Sequence, residues 1–207
     1  MNGVVLQKSI VHSRMRREID NPNILLLSNS LGIQKDEEDF FDIDAQIKQE
    51  DNFIGIIMKR IEQENPNLIF IEKDASFKAI EALLERNITL VTNVKKSVMQ
   101  RLERLTETQI LPSPYFLDEE HPTGKCSKFW MESIANPGGK SATLKTSSNI
   151  ITLEGCPPYL GCTIQLSGND LNELKVVKHA VKKMLRLSRQ LVLKSHYIEY
   201  FGLHTYP

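Results

Sequence analysis

Cys126, Cys156 and Cys162, with His121, are the residues that could supply the four ligands of a zinc site. Structural zinc sites draw their four ligands from tight pairs such as C-x-x-C. Here four residues separate His121 from Cys126 and five separate Cys156 from Cys162. With no tight pair, the cysteines read as buried structural residues. Gly139-Lys140-Ser141 has the ending of a phosphate-binding loop. That loop needs a glycine five residues before Gly139, where Ile134 stands, and it should open a helix. The segment reads instead as a hairpin tip. The histidines are His12, His121, His179, His196 and His204, and none lies in a nucleophile context such as G-x-S-x-G. Glu72-Lys73-Asp74 follows a predicted strand, at the strand end where α/β folds bind ligands; its reading is a solvated link. No G-x-G-x-x-G follows any strand, so a dinucleotide site has no support.

The most regular polar pattern is cationic. Lys175, Lys178, Lys182, Arg186 and Arg189 are spaced 3, 4, 4 and 3, which puts all five along one helical face, widened by His179 and Lys183. Such a face suits an acidic protein surface or anionic lipid headgroups. The plainer reading is a solvated helix face.

The elements that carry these residues follow from periodicity. A strand is predicted over 3–11 and another, buried on both faces, over Ile24–Leu27. Residues 36–51 hold eight acids and one base, Lys48, and read as a solvated stretch. Residues 52–64 fit a helix with Phe53, Ile54, Ile57, Met58 and Ile61 at helical spacing. Strand 68–71 comes next. A helix through Arg86 then follows, capped by Ser76 and burying Phe77, Ile80, Leu83 and Leu84. Strand 88–91, a helix from Ser97 to Leu105 around Val98, Leu102 and Leu105, and a short strand at 110–111 complete the run. Helices and strands alternating with short links specify a parallel sheet. After Pro112 the signals turn to β, at 126–134, 149–154 and 163–166. One helix is predicted from Asp170 to about Tyr200, with a break allowed near Lys194-Ser195 and with Leu174, Val177, Val181, Leu185 and Val192 along one face.

The chain has 207 residues, with 26 Lys plus Arg against 26 Asp plus Glu. This balance excludes a uniformly basic nucleic-acid binder and an acidic disordered tail. The zero sum hides a separation: 171–194 holds seven bases against Glu173 alone, opposite in sign to 36–51. An odd, low cysteine count fits a reducing compartment. No apolar run approaches the ~18 residues of a membrane span, and the start of the chain shows no signal peptide. The abrupt ends predict a domain cut from a longer polypeptide.

Two blocks carry a family resemblance. Gly3-Val4-Val5-Leu6 and the run from His12 through Asn21-Pro22-Asn23 to Leu27, with the alternating run at 67–105 including Val94-Lys95-Lys96-Ser97, resemble the apical domain of group II chaperonins of the TCP-1 type. Gly124-Lys125-Cys126-Ser127-Lys128-Phe129-Trp130-Met131 matches G-x-C-x-K-F/Y-x-M, and 154–166 matches EGCP-x-x-LGCT-I-x-L. Together these resemble the chaperonin-like domain of PIKfyve/Fab-type phosphatidylinositol 3-phosphate 5-kinases, from Gly3 to about Gly202. The resemblance implies an α/β, chaperonin apical-like domain over 1–168, with a long helix over 169–207 like part of the chaperonin intermediate domain. The two ends of the chain should then lie close together.

The departures from true chaperonins are equally specific. Ungapped counting from Leu166-Ser167-Gly168 puts Lys183 where the family's ATPase carries an aspartate, and a cation there can neither act as base nor hold the metal. The glycine-rich stretch after that helix and the helical protrusion are missing too. No lipid- or protein-kinase motif occurs in these residues. The resemblance therefore implies a non-enzymatic interaction domain of a lipid kinase, with no cofactor of its own; ATP and magnesium belong to the parent's kinase domain. The implied partners are a HEAT-repeat scaffold, a phosphoinositide phosphatase and the parent's other domains, at an endosomal or vacuolar membrane facing the cytoplasm. Nucleic acid is not among them, and an anionic membrane surface is a further candidate. In chaperonins the helix pair matching 52–64 and 76–86 faces substrate. This nominates Ile54, Ile57, Ile61, Lys78 and Glu81 for partner contact, and the Lys175–Arg189 stripe as a basic face. The alternative class is the substrate-binding apical region of an ATP-dependent chaperonin subunit.

Overall fold

The computed structural model describes residues 1–32, 43–114, 123–135, 147–168 and 170–202. It divides into two compact units, Met1–Thr163 and Ile164–Pro207. The sequence reading put this boundary at 168/169. Thr163 marks it earlier, because its N–H donates to the Met1 carbonyl at 3.0 Å and its hydroxyl to the Gly3 carbonyl at 2.6 Å. These bonds also hold the two ends of the first unit together.

The parallel run forms as its pattern predicts. Strands β3 (Asn23–Leu27), β4 (Leu68–Ile71), β5 (Thr89–Val91) and β6 (Ile110–Leu111) lie in the order β5-β4-β3-β6, every pair parallel. A short β7 (Gly124–Lys125) pairs antiparallel with the start of β3. Continuous apolar strands have no solvent face: all four residues of β4 are fully buried. Asparagines set the turns. Asn21, Asn65 and Asn87 adopt left-handed φ of 48°, 46° and 57° just before β3, β4 and β5, a region that asparagine tolerates better than most residues.

Helices α1 (Ile43–Gln63) and α2 (Phe77–Glu85) pack on each other. Helix α3 (Lys96–Thr106) touches both β3 and β1, so it joins the parallel sheet to a second, antiparallel one. That sheet has the order β1-β9-β8-β2, from β1 (Gly3–Leu6), β9 (Ser147–Glu154), β8 (Lys128–Ala135) and β2 (Glu18–Asp20). Its strands alternate: Val4, Leu6, Ile19, Phe129, Ile151 and Leu153 join the core, while Glu18, Asp20 and Glu154 face solvent.

Several expectations are corrected. Strand β1 stops at Leu6 rather than running to 11, because the chain leaves this sheet and Val11 N–H bonds the Leu90 carbonyl of β5. Helix α1 begins at Ile43, so the second half of the acidic stretch is helical. Ser76 caps α2 as expected, accepting the Ala79 N–H at 3.3 Å. Phe77, placed at the first turn beyond the sheet, is 70% exposed rather than buried. Helix α3 is preceded by Lys95 without a side-chain cap, so Ser97 lies inside it. Residues 163–166 form no strand: Ile164 is exposed and no neighbouring strand pairs with the segment.

The second unit is α4 (Leu171–Phe201), 31 residues long, capped by the Asp170 carboxylate on the Asn172 N–H and ended by Gly202 at φ 61°. It runs unbroken through Lys194-Ser195, where the Ser195 hydroxyl donates back to the Val192 carbonyl at 3.2 Å.

Candidate functional site

Helices α1 and α2 are joined by two ion pairs. Asp51, midway along α1, pairs with Lys78 near the start of α2, and Glu62 near the end of α1 pairs with Arg86 just past α2. The helices therefore run parallel, pinned at two points from the middle of α1 to its end. Arg86 is further fixed by donating to the Ala82 carbonyl at 3.0 Å. Exposed ion pairs contribute little stability, but two of them set the relative register of the helices.

This packing corrects the nominated contact residues. Ile54, Ile57 and Ile61 are buried, at 7%, 2% and 0% exposure. They are core because the 54-57-58-61 stripe of α1 belongs to the same buried cluster as the strand residues of β3 and β4. Lys78 is half-buried and spends its ammonium on Asp51; Glu81 is exposed. The apolar groups that reach solvent on this pair are Ile56 and Phe77, at 50% and 70% exposure. Neither stood out in the sequence. Ile56 was legible as the one apolar residue of 53–61 off the buried stripe; Phe77 gave no such signal.

The strand-end candidate Glu72-Lys73-Asp74 is a structural link. Glu72 N–H bonds the Leu27 carbonyl, Asn93 N–H bonds the Lys73 carbonyl, and the Asp74 carboxylate accepts the Ala75 N–H at 2.9 Å. The histidines are scattered: the His12 ring accepts the Arg14 N–H, and His196 lies beside Glu199. His121, His204 and Gly139-Lys140-Ser141 fall outside the described residues. Among the described residues no three His, Cys, Asp or Glu side chains stand where they could hold a metal ion.

The motif 124–131 and 154–162 is a packing device. Gly124 leaves room for Thr106, whose hydroxyl would lie 2.8 Å from an added Cβ. Phe129 and Leu153 are fully buried cross-strand partners. Cys126 and Cys156 are buried, whereas Cys162, against expectation, is exposed. Burial, and then the neighbouring Cys156, push the Cys126 thiol up to about 12 from an ordinary 9.0. The thiol donates to the Lys128 carbonyl at 3.7 Å. On the outer face of this sheet, Lys128 pairs with Glu18, which holds the ammonium above its usual range.

A raised thiol pKa has a definite sign. Below about 9 the thiol is neutral folded and unfolded, and its burial contributes in full. As pH climbs from there toward 12, the unfolded chain ionises first and stability falls. At pH 8, iodoacetamide should therefore label Cys162 and spare Cys126 in the folded chain, and label all three cysteines after denaturation. Peptide mass mapping checks this; equal labelling of Cys126 and Cys162 in the folded chain would contradict the burial.

On α4 the five cations Lys175, Lys178, Lys182, Arg186 and Arg189 are all exposed, and no residue of the helix is buried. No described helix is long and apolar enough to cross a membrane.

Comparison with known proteins places these surfaces in a family. A putative 1-phosphatidylinositol-3-phosphate 5-kinase of Arabidopsis thaliana is 33% identical over 200 residues, covering 96% of this chain and 12% of that protein. A human 1-phosphatidylinositol 3-phosphate 5-kinase is 38% identical over 186 residues, covering 89% of this chain and 9% of the kinase. T-complex protein 1 subunit gamma of Dictyostelium discoideum is 30% identical over 200 residues, covering 93% of this chain and 36% of that subunit. The chain thus spans about a tenth of the length of these lipid kinases. Among solved structures, the open-state monomer of a group II chaperonin from Methanococcoides burtonii superposes with a TM-score of 0.66 at 22% identity, covering 90% of this chain and 39% of that one. The expected α/β, chaperonin apical-like fold with a C-terminal helix is the fold observed. The sequence profile of the TCP-1/cpn60 chaperonin family matches residues 1–199, so the chain belongs to that family.

Proposed function

We propose that this chain is a non-catalytic interaction domain of a phosphatidylinositol 3-phosphate 5-kinase, and that it docks the kinase to a HEAT-repeat scaffold and its associated phosphatase. The observation that carries this reading is the 38% identity to a human lipid kinase across 89% of the chain, above the 30% to a chaperonin subunit. The parent then works on the cytoplasmic side of an endosomal or vacuolar membrane, and ATP and magnesium serve its kinase domain alone. The contact face is the pinned helix pair, with Ile56 and Phe77 as apolar anchors beside Glu81. Exposed apolar groups on a polar surface suit protein docking, where they can fill a partner's pocket.

The test is Ile56→Glu with Phe77→Glu in the full-length kinase. Scaffold recovered by pull-down should fall by at least about tenfold, while the circular dichroism of the isolated chain stays unchanged. Undiminished recovery would overturn this placement.

The chaperonin-subunit match favours a second reading, an apical region that binds unfolded polypeptide in an ATP-driven machine. Lys183 weighs against it, as the position counted to the catalytic aspartate holds a cation. ATP turnover by the purified chain above a no-protein blank would revive it.

A further inference from the structure

The two sheets end in the edge strands β5 and β6, and β1 and β2. Three of these edges carry a bond from outside their sheet. The Val11 N–H bonds the Leu90 carbonyl of β5 at 3.0 Å, the Glu103 carboxylate accepts the Ile110 N–H of β6 at 3.1 Å, and the Gly3 carbonyl of β1 accepts the Thr163 hydroxyl. The β2 edge is open. Its flanking residues turn inward: the Arg17 carbonyl accepts the Met131 N–H, and the Asn21 N–H donates to the Ser127 carbonyl, both at 2.9 Å. Antiparallel pairing alternates, so Ile19 also bonds β8, while the N–H and carbonyl groups of Glu18 and Asp20 point away from it. Among the described residues nothing bonds those outward groups.

The side chains at this edge are predominantly acidic. Glu18 and Asp20 are exposed, and Lys128, Trp130, Glu132 and Glu154 stand behind them on the same outer face. Lys128 is already engaged by Glu18, with Asp20 and Glu154 adding to the negative field around it. Trp130 is half-buried and lines an open groove of about 440 Å³ with Glu18, Glu132 and Glu154.

Short, charged edge strands deter unwanted pairing. Here the deterrence is selective. Like charges opposite each other destabilise a strand pair and opposite charges stabilise it. Acids at 18 and 20 therefore repel a second copy of β2, and any other acidic strand, and favour a basic one. Directly opposed residues share a face of the sheet. A strand added beside β2 would place the partners of Glu18 and Asp20, two positions apart, on the outer face. The residue between them would stand beside Ile19, which is buried in the core. An arginine opposite Glu18 is long enough to extend toward the Trp130 ring, whose face attracts a guanidinium.

We propose that the open edge of β2 docks an extended basic segment of a partner protein by strand addition, with the pattern cation, β-branched residue, cation. Main-chain bonds to Glu18 and Asp20 hold the segment, and the acids with Trp130 select its side chains. This surface is separate from the helix pair and does not depend on the reading of the chain as part of a lipid kinase.

Trp130 is the only tryptophan of the chain, so its fluorescence reads the site directly. The 207-residue chain is titrated with a short capped peptide of alternating arginine and threonine, with the same peptide N-methylated at each arginine, and with its glutamate counterpart. The arginine peptide should give a saturable change, and loss of the arginine N–H groups should weaken binding by at least about tenfold. The glutamate peptide should give none. Asp20→Pro removes one outward N–H and leaves the bonds of Ile19 and Asn21 to β8, as proline is tolerated on an edge strand. It should keep the parent's urea midpoint and lose the response. No response to the arginine peptide, equal binding of the N-methylated or glutamate peptide, or a folded Asp20→Pro chain that binds like the parent would each overturn the proposal. Ile56→Glu with Phe77→Glu should leave the titration unchanged, so failure here is distinct from failure of the helix-pair docking.

Discussion

Replacing Ile61 with lysine is expected to unfold the Met1–Thr163 unit, whereas Ile56→Lys is expected to leave it folded. Both isoleucines lie on α1, five residues apart. Ile61 is fully buried in the core with β4 and Met58, and Ile56 is half exposed. A lysine at 61 must bury an unpaired ammonium or open the α1–sheet contact, at a cost above about 4 kcal/mol. Against a domain stability of roughly 5–15 kcal/mol this removes much or all of the margin. At 56 the ammonium stays in water, and the change should be within about 0.5 kcal/mol. Urea unfolding followed by fluorescence of Trp130, the single tryptophan, measures both. A folded Ile61→Lys chain that had lost scaffold binding would return Ile61 to the contact surface and refute its assignment as core.

Gly155→Ala should be the most damaging of the small substitutions. Gly155 has φ 79°, where a side chain is strained, and an added Cβ would lie 2.0 Å from the Ser127 hydroxyl and 3.0 Å from the Ser127 backbone nitrogen. The position cannot drift, because Gly155 N–H bonds the Asn2 carbonyl and Ser127 N–H bonds the Glu154 carbonyl. Backbone strain of about 1–3 kcal/mol adds to the overlap, for an expected loss of roughly 3 kcal/mol or more. Ser127→Gly in the same chain removes the side-chain clash but not the strain, so the double variant should recover part of the loss. Thermal and urea midpoints of the four chains complete the cycle. A single variant as stable as the parent chain would show that the 154–156 turn adopts another conformation.

Gly155 also shows how much a motif says by itself. The E-G-C-P run marks the family without saying why the glycine is there; the reason is Ser127, 28 positions earlier in sequence and adjacent across the β8–β9 end. Cys126 and Cys156 are similar. Spacing alone excluded a tight zinc pair, but burial of these two and exposure of Cys162 came from which residues the sheets enclose. The strands and helices between Asn23 and Leu111 were legible to within a residue or two, apart from the start of α1, which lies nine residues before its predicted position, because each is specified locally. Four-residue apolar runs bury both faces, Ser76 caps its own helix, and asparagines turn the chain before three strands. Residues 163–166 had the same β-forming composition and made no strand, because pairing needs a neighbour that no local signal supplies.

The sequence by itself determined the alternation of helices and strands, the family and the basic stripe. These depend on residue type and spacing within a few turns of chain. Only the tertiary structure decided that Ile54, Ile57 and Ile61 are core, that Ile56 and Phe77 face solvent, and that α4 buries none of its residues. Periodicity tells which side chains share a face. Whether that face meets a sheet, water or another polypeptide depends on what lies opposite it, and those residues are distant in sequence.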